Sequence, residues 1–492
     1  MELHPQIERL NQIGIALSNE IQLEKLLALI VTEARGFTNA DAGSLYTLEK
    51  DQLYFRIAQN DTLNGKGARG AFKPVPIPLD SRSIAGYVAL NGELLDIEDV
   101  YMLSDRLPFS FNRDFDQKNN YRSQSMLVVP MKEPDGEVLG VLQLINAKND
   151  DGKVVPFPQS IISLTMSLAS QAAVAIRNAR LISYIKSLFE ALIRYSASAI
   201  DARSPHTAGH SRRVAEYATV IAQEINRLDD GPFKDIHFTA DELERLSYSA
   251  WLHDLGKIGV PEAILDKHLR LPAGVEETIE ERFNLCAASL AIEAAAAGSK
   301  NPREDTAKER EALKADFQRL KNINRANWLP DEDEEFLGQL HARTFYDAGG
   351  TERTLLTDGE MVYLAVKKGN LTPEEYKTMQ GHVEHTLNIV KNIPFTGHLE
   401  AVPNIAASHH EMLNGTGYPR HLHDQEITLE ARILAMVDIF DALTAIDRPY
   451  RKAAPPERAC AILQSDVESG RLDKDVVELF VSQRLWERIT EK

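Results

Sequence analysis

The chain has 492 residues, a length that fits about three domains, and its 55 basic against 73 acidic residues leave a formal charge of −18. That balance disfavours non-specific binding to nucleic acid or to an anionic membrane surface, so a phosphate-bearing substrate must meet a locally basic pocket. Cys286 and Cys460 are the only cysteines, which excludes a disulfide framework and a thiolate metal site. The opening MELHPQIERL has no apolar core of signal-peptide type. No run of about 18 consecutive apolar residues occurs, since 161–176 is broken by Ser, Thr and Gln. These features predict a soluble, cytoplasmic protein without a membrane partner.

Residues 5–35 place Ile7, Leu10, Ile13, Leu17, Leu23, Leu26, Leu27, Ile30 and Val31 at helical spacing. Strand-like runs follow at 42–48, 53–58, 94–97, 126–131 and 138–145, divided by polar and Gly/Pro turns such as Pro134-Asp135-Gly136. An antiparallel sheet flanked by helices fits this order. The stretches ADAGSLYTLE, SIAGYVALNGELLDIEDVY and SMLVVPM…GEVLGVLQLIN resemble a GAF domain, which implies a sensor domain within residues 1–160 that binds a small ligand or dimerises. The segment FDQKNNYRSQSMLVVPM is similar to the cyclic-nucleotide-binding branch of these domains. The acidic pair that this branch carries after its last strand is missing near Ser160-Ile161, so a cyclic nucleotide and a purely scaffolding role both stand.

Residues 161–200 read as one long helix without Gly or Pro. Ile161, Leu164, Leu168, Ala175, Ile182, Ile185, Phe189 and Leu192 keep a heptad seam, with the polar Gln171 and Asn178 on it. This predicts a signalling helix that forms a parallel homodimer; the competing reading packs the same stripe on its own domain. After the Ser204-Pro205 cap, helical patterns resume in GHSRRVAEYATVIAQEI, and HDLGKIG reads as a helix end with Gly256 and Gly259 as stops. Residues 268–366 are too long for a structureless loop and read as helices at 273–297 and 302–327, followed by the acidic run 331–335. Surface decoration and a lid over the site are both open for them. The tail, 455–491, reads as amphipathic helix.

The functional signal is concentrated in His409 to Pro419, HHEMLNGTGYP. Neighbouring imidazoles are poor core residues but good metal ligands, and Gly415 and Gly417 allow a tight turn close to a ligand. Thirteen of the fourteen histidines lie between His206 and His423, which points to one metal-rich domain. The combination of HDLGK (His253, Asp254, Lys257), QGHVEH (His382), HHEMLNGTGYP and AMVDIFDALT (Asp438) resembles the HD-GYP branch of the HD metal-dependent phosphohydrolases. The resemblance covers about 190–480 apart from the insertion. Asn414 departs from it, standing where the family has Asp, and so does HVEHT at 382–386, where the family has Pro and Gly.

The resemblance implies an all-α domain over 201–492 that hydrolyses cyclic di-GMP to linear pGpG and on towards GMP. It implies that His210, His253, Asp254 and Asp438 serve one ion, and that Asp254 bridges to a second ion served by His382, His409 and His410. His206, four residues before His210, is a candidate ligand for a third. Mixed N/O ligation without sulfur favours iron or manganese. Lys257, three residues after Asp254, can hold a phosphate oxygen or protonate the leaving alkoxide. Gly417, Tyr418 and Pro419 form a turn that can contact substrate, and Arg448 and Lys452 of the DRPYRK segment are phosphate anchors. Glu411 and Asp441 orient ligands, with a structural role also open for Glu411. Two other readings are kept: a module that binds cyclic di-GMP without turnover, and a di-iron HD oxygenase. Lys257 and the Gly-Tyr-Pro turn argue against the oxygenase.

Overall fold

The structure is a computed structural model that describes residues 3–64, 75–203, 209–347, 349–445 and 453–489. It divides into two compact units, Met1–Phe189 and Glu190–Lys492. His206, the Ser204-Pro205 cap, Arg448 and Lys452 lie outside the described residues.

The first unit is built on an antiparallel sheet of β1 (Ala40–Glu49), β2 (Gln52–Asn60), β3 (Val75–Ile77), β4 (Leu95–Ile97), β5 (Met126–Lys132) and β6 (Val138–Lys148). The spatial order is β3-β2-β1-β6-β5-β4, with the short β7 (Val154–Val155) on β6. Strand residues alternate faces, and here both faces are covered. Leu127, Val129 and Met131 join a core formed with the helices Leu3–Asn19 and Leu23–Thr38 and the start of the long helix. Met126 and Val128 join a second core with the helix Ile84–Asn91. The two N-terminal helices and the antiparallel sheet agree with the sequence-based expectation.

The long helix runs from Gln159 to Asp201 as one element. Its predicted seam divides in two. Ile161, Leu168 and Ala175 are buried in the core of the first unit with Leu164 packed on it, so that half packs on its own domain. Beyond Ala179 most of the apolar residues turn outward, while Ile193 and Ala197 are buried. Val174, Asn178, Leu181, Ile185, Leu188, Leu192 and Tyr195 are all exposed, spaced alternately by four and three residues. Leu181 and Leu188 join this stripe; of the predicted seam residues, Ile182 is exposed as well and Phe189 is half-buried. The sheet claims one side of the helix and leaves the neighbouring side bare. By length and composition this helix could cross a bilayer, but 50% of its most apolar window is buried inside the protein.

The second unit is helical. Val214, Ala218, Ile221 and Ile225 on the helix His210–Ile225 pack with Leu246 and Ala250, with Ile433, Leu434, Val437 and Phe440 of the helix Leu429–Thr444, and with Val476, Val477 and Phe480. The inserted segment has a separate core, in which Ile279 and Phe283 meet Leu313, Phe317 and Leu320, then Leu337, Leu340 and Leu364. The tail is not one helix. Gly470, with φ +71°, ends the helix Pro456–Glu468, and the Asp473 carboxylate accepts from the backbone N–H groups of Asp475 and Val476 to start the helix Lys474–Ser482.

Candidate metal centre

The ligand candidates come from five places in the chain, and three of the histidines share one local device. His253 caps the C-terminus of the helix Ala240–Leu252, and its Nδ1 lies 2.7 Å from the carbonyl of Ala250. His382 and His409 repeat this towards Met379 and Ala406, also at 2.7 Å. In each, the backbone three residues upstream takes the Nδ1 proton and leaves Nε2 as the free donor. His210 opens its helix and sets Nδ1 2.8 Å from Asp441 Oδ2.

The Nε2 atoms converge on two carboxylates. Asp254 Oδ2 lies 3.5 Å from His210 Nε2 and 3.4 Å from His253 Nε2. Its other oxygen, Oδ1, lies 3.5 Å from His382 Nε2 and 3.9 Å from His409 Nε2. Asp438 Oδ1 stands 3.2 Å from His210 Nε2, and its Oδ2 is 3.9 Å from His410 Nδ1. Two of the clusters with ligand atoms close enough to share an ion are His210, His253, Asp438 and His382, His409, His410. The two oxygens of Asp254 face one set each.

The electrostatics split the same way. Burial pushes His382, His409 and His410 down, the last to about 4, so these rings are neutral and in ligand form. Burial also acts to lower His210 and His253, but the carboxylates of Asp254 and Asp438 outweigh it and lift both, His253 to about 9. Burial would raise Asp254, but Lys257 and the imidazoles hold it well below the usual carboxylate range. Two ionised carboxylates and a ring of imidazoles without sulfur are a donor set that fits divalent cations.

The supporting residues are more specific than the sequence suggested. Gly256 and Gly259 do not stop a helix by left-handed backbone; they lie in a short 3₁₀ turn, Leu255–Gly259. A Cβ on Gly256 would sit 2.0 Å from the carbonyl oxygen of His382, so glycine lets two ligand-bearing elements touch. Thr386 fastens the same contact: its hydroxyl accepts from the Gly256 N–H at 2.9 Å and donates to the His253 carbonyl at 2.9 Å. This gives the HVEHT segment a physical role that motif reading missed. Lys257 Nζ pairs with Asp254 Oδ2. Asp441 holds His210 and is itself gripped by Arg213, whose Nε and Nη2 donate at 2.6 and 3.0 Å. Arg213→Gln is expected to lower metal affinity or turnover about ten- to a hundredfold, the usual cost of releasing a residue that orients a ligand. A metal titration checks this.

The turn after His410 is also resolved. Tyr418 stacks on the His410 ring, with centroids 4.8 Å apart. A Cβ on Gly417 would sit 2.3 Å from the Met412 nitrogen. Pro419 follows in a cis peptide. Glu411 accepts from the backbone N–H groups of Arg420 and Leu422 at 2.8 and 3.0 Å, so it holds this loop rather than a histidine ring. Asn414 accepts from Thr416 and donates its amide to the Ser469 carbonyl at 3.1 Å, a bond an ionised Asp could not make.

The GAF domain family matches residues 22–176, and HD domain families match 207–315 and 357–476. HD domains are metal-dependent hydrolases, and the chain carries an HD region. A GAF domain precedes it. The chain is 26% identical to the Vibrio cholerae 3′3′-cGAMP-specific phosphodiesterase 3 over 57% of its own length and 36% of that protein's. It is 38% identical to the Thermotoga maritima cyclic di-GMP phosphodiesterase over 24% of its own length and 31% of that protein's. It thus spans about a third of the length of these curated relatives. Among solved structures, the GAF domain of an Acinetobacter phosphoenolpyruvate-protein phosphotransferase aligns at 18% identity, over 37% of this chain and 98% of that one, with a TM-score of 0.28.

Proposed function

We propose that this chain hydrolyses a cyclic dinucleotide, cyclic di-GMP in the first place, to linear pGpG and on towards GMP, under control of its GAF domain. The observation that carries the reading is Asp254, whose two oxygens each face a separate histidine set. Divalent ions, iron or manganese on this donor set, would supply an activated water and relief of charge on the phosphoryl group. His210, His253, Asp254 and Asp438 would hold one, and Asp254, His382, His409 and His410 the other. Lys257, with its side chain 21% exposed, reaches both Asp254 and the open side of the site. There it can donate a proton to the leaving alkoxide or hold a non-bridging oxygen. Tyr418 offers its free ring face to a base, and Arg448 and Lys452 are proposed phosphate anchors. A time course of linear product with metal-loaded protein tests this. Tight binding without product would leave a non-turnover module in its place. A second substrate, 3′3′-cGAMP, belongs in the same panel, because the relative matched over 282 residues bears that name.

The control input is a small molecule in the first unit, where Tyr46, Phe55, Phe115, Tyr121 and Met126 line a cavity of about 210 Å³; a cyclic nucleotide is one class to test there. The output passes through a parallel dimer in the cytoplasm, made by the exposed heptad stripe of the long helix. Ile185→Asp with Leu188→Asp is expected to give monomers, since the substitutions would bury unpaired charge in the seam. Light scattering that still reports dimers would put the interface elsewhere.

A further inference from the structure

The second unit holds another site with the chemistry of nucleotide recognition. A cavity of about 710 Å³ opens between the end of the long helix, the helices His210–Ile225 and Ala240–Leu252, and the C-terminal 3₁₀ turn Leu485–Arg488. Its walls carry Trp251, three arginines, Arg194, Arg212 and Arg488, and one acid, Glu216, which pairs with Arg212, with the hydroxyl residues Ser198, Thr219 and Ser247 beside them. In a chain with a net charge of −18, this grouping of guanidinium groups around an indole stands out.

The guanidinium groups retain donors. Arg194 stands over the Trp251 ring at 6.0 Å, and its ion pair with Glu190 is long at 3.9 Å. Arg212 gives Nη1 to Glu216, and Arg488 gives its two Nη atoms to Glu224. The Nε group of each is not used in those bonds. Fork-shaped donors suit phosphate oxygens, and an indole flanked by a guanidinium suits the flat face of a base. None of these residues belongs to the metal centre. The cavity nevertheless borders the helices that His210 opens and His253 caps.

We propose that this cavity binds a mononucleotide-type anion, a purine base stacked at Trp251 with its phosphate held by Arg194 and Arg488. Such a ligand would act on the metal centre from a distance by biasing the packing of the two histidine-bearing helices. This goes beyond the proposed hydrolysis and does not depend on it, because the site is read without turnover.

The test uses the full chain and 5′-GMP as probe, with Trp251 emission as the readout, defined as the difference between wild type and Trp251→Phe. GMP is expected to quench that component saturably, with guanosine and inorganic phosphate each weaker. Arg194→Gln with Arg488→Gln, both on the surface, is expected to weaken GMP about tenfold or more, as expected for lost charge-assisted hydrogen bonds. Absence of quenching at millimolar GMP, or quenching unaltered in the double variant, would overturn the site. Equal affinity for inorganic phosphate would reduce it to an anion site and overturn the nucleotide assignment. Loss of cyclic dinucleotide hydrolysis in any variant bears on the catalytic reading alone, since the emission signal is recorded without substrate.

Discussion

Asp254→Ala is expected to abolish turnover, by roughly a thousandfold or more, and to lower the metal content of both positions rather than one. The reason is geometric. Asp254 Oδ2 stands within 3.5 Å of His210 and His253, and Oδ1 within 3.9 Å of His382 and His409, so one side chain serves both histidine sets. Removing it also takes from Lys257 the carboxylate it pairs with beside the site. Metal analysis and circular dichroism of the purified variant separate this from misfolding. Turnover that survives, or the loss of a single ion with the other retained at full affinity, would sink the shared-carboxylate arrangement. Lys257→Ala is the informative contrast. It should slow hydrolysis by about a hundredfold while the ions stay, because a general acid contributes to rate and not to ligation.

The candidate ligands could be picked out in the sequence because they lie in short local motifs. His253-Asp254 and His409-His410 are adjacent in the chain, and the recurring bond from Nδ1 to the carbonyl three residues upstream needs only a helix end. Arg213 and Thr386 escaped motif reading for the opposite reason. Arg213 finds Asp441 across 228 positions, and Thr386 finds Gly256 across 130, so no window of sequence contains either pair. The long helix shows a third case. Its period was readable, but which face stays bare depends on how much of the helix the sheet covers. One side of the helix up to Ala179 is taken by the sheet and the N-terminal helices, and the exposed stripe that starts at Val174 on the other side runs on past them. In the tail, helical periodicity hid the break that Gly470 and Asp473 impose.

The inserted segment gives the second large effect, on stability. Arg270 is fully buried, at 0% exposure, and the structure gives it no carboxylate partner among the described residues. Its guanidinium is held by main-chain oxygens. Nε donates to the Ala326 carbonyl at 3.0 Å, and Nη1 donates to the carbonyls of Val366 and, at 3.4 Å, Leu364. Next to it, Asn324 accepts from the Leu271 N–H and its carbonyl accepts from the Arg270 N–H. One side chain thus ties the start of the insertion to its middle and its end. Burial pulls the Arg270 pKa down, which marks how costly the charge is there. Arg270→Met keeps much of the volume but orphans three carbonyls, at about 1 kcal/mol each or more. A loss of about 3 kcal/mol corresponds to at least a hundredfold rise in the opened population of 268–366. Native-state hydrogen exchange should show protection falling in the helices Val275–Ala296 and Ala307–Arg325. The helices His210–Ile225 and Leu429–Thr444 belong to a different core and should keep theirs. Equal loss in both would mean that the insertion and the metal-bearing helices unfold as one unit. Unchanged protection in the insertion would mean that Arg270 is not its clasp.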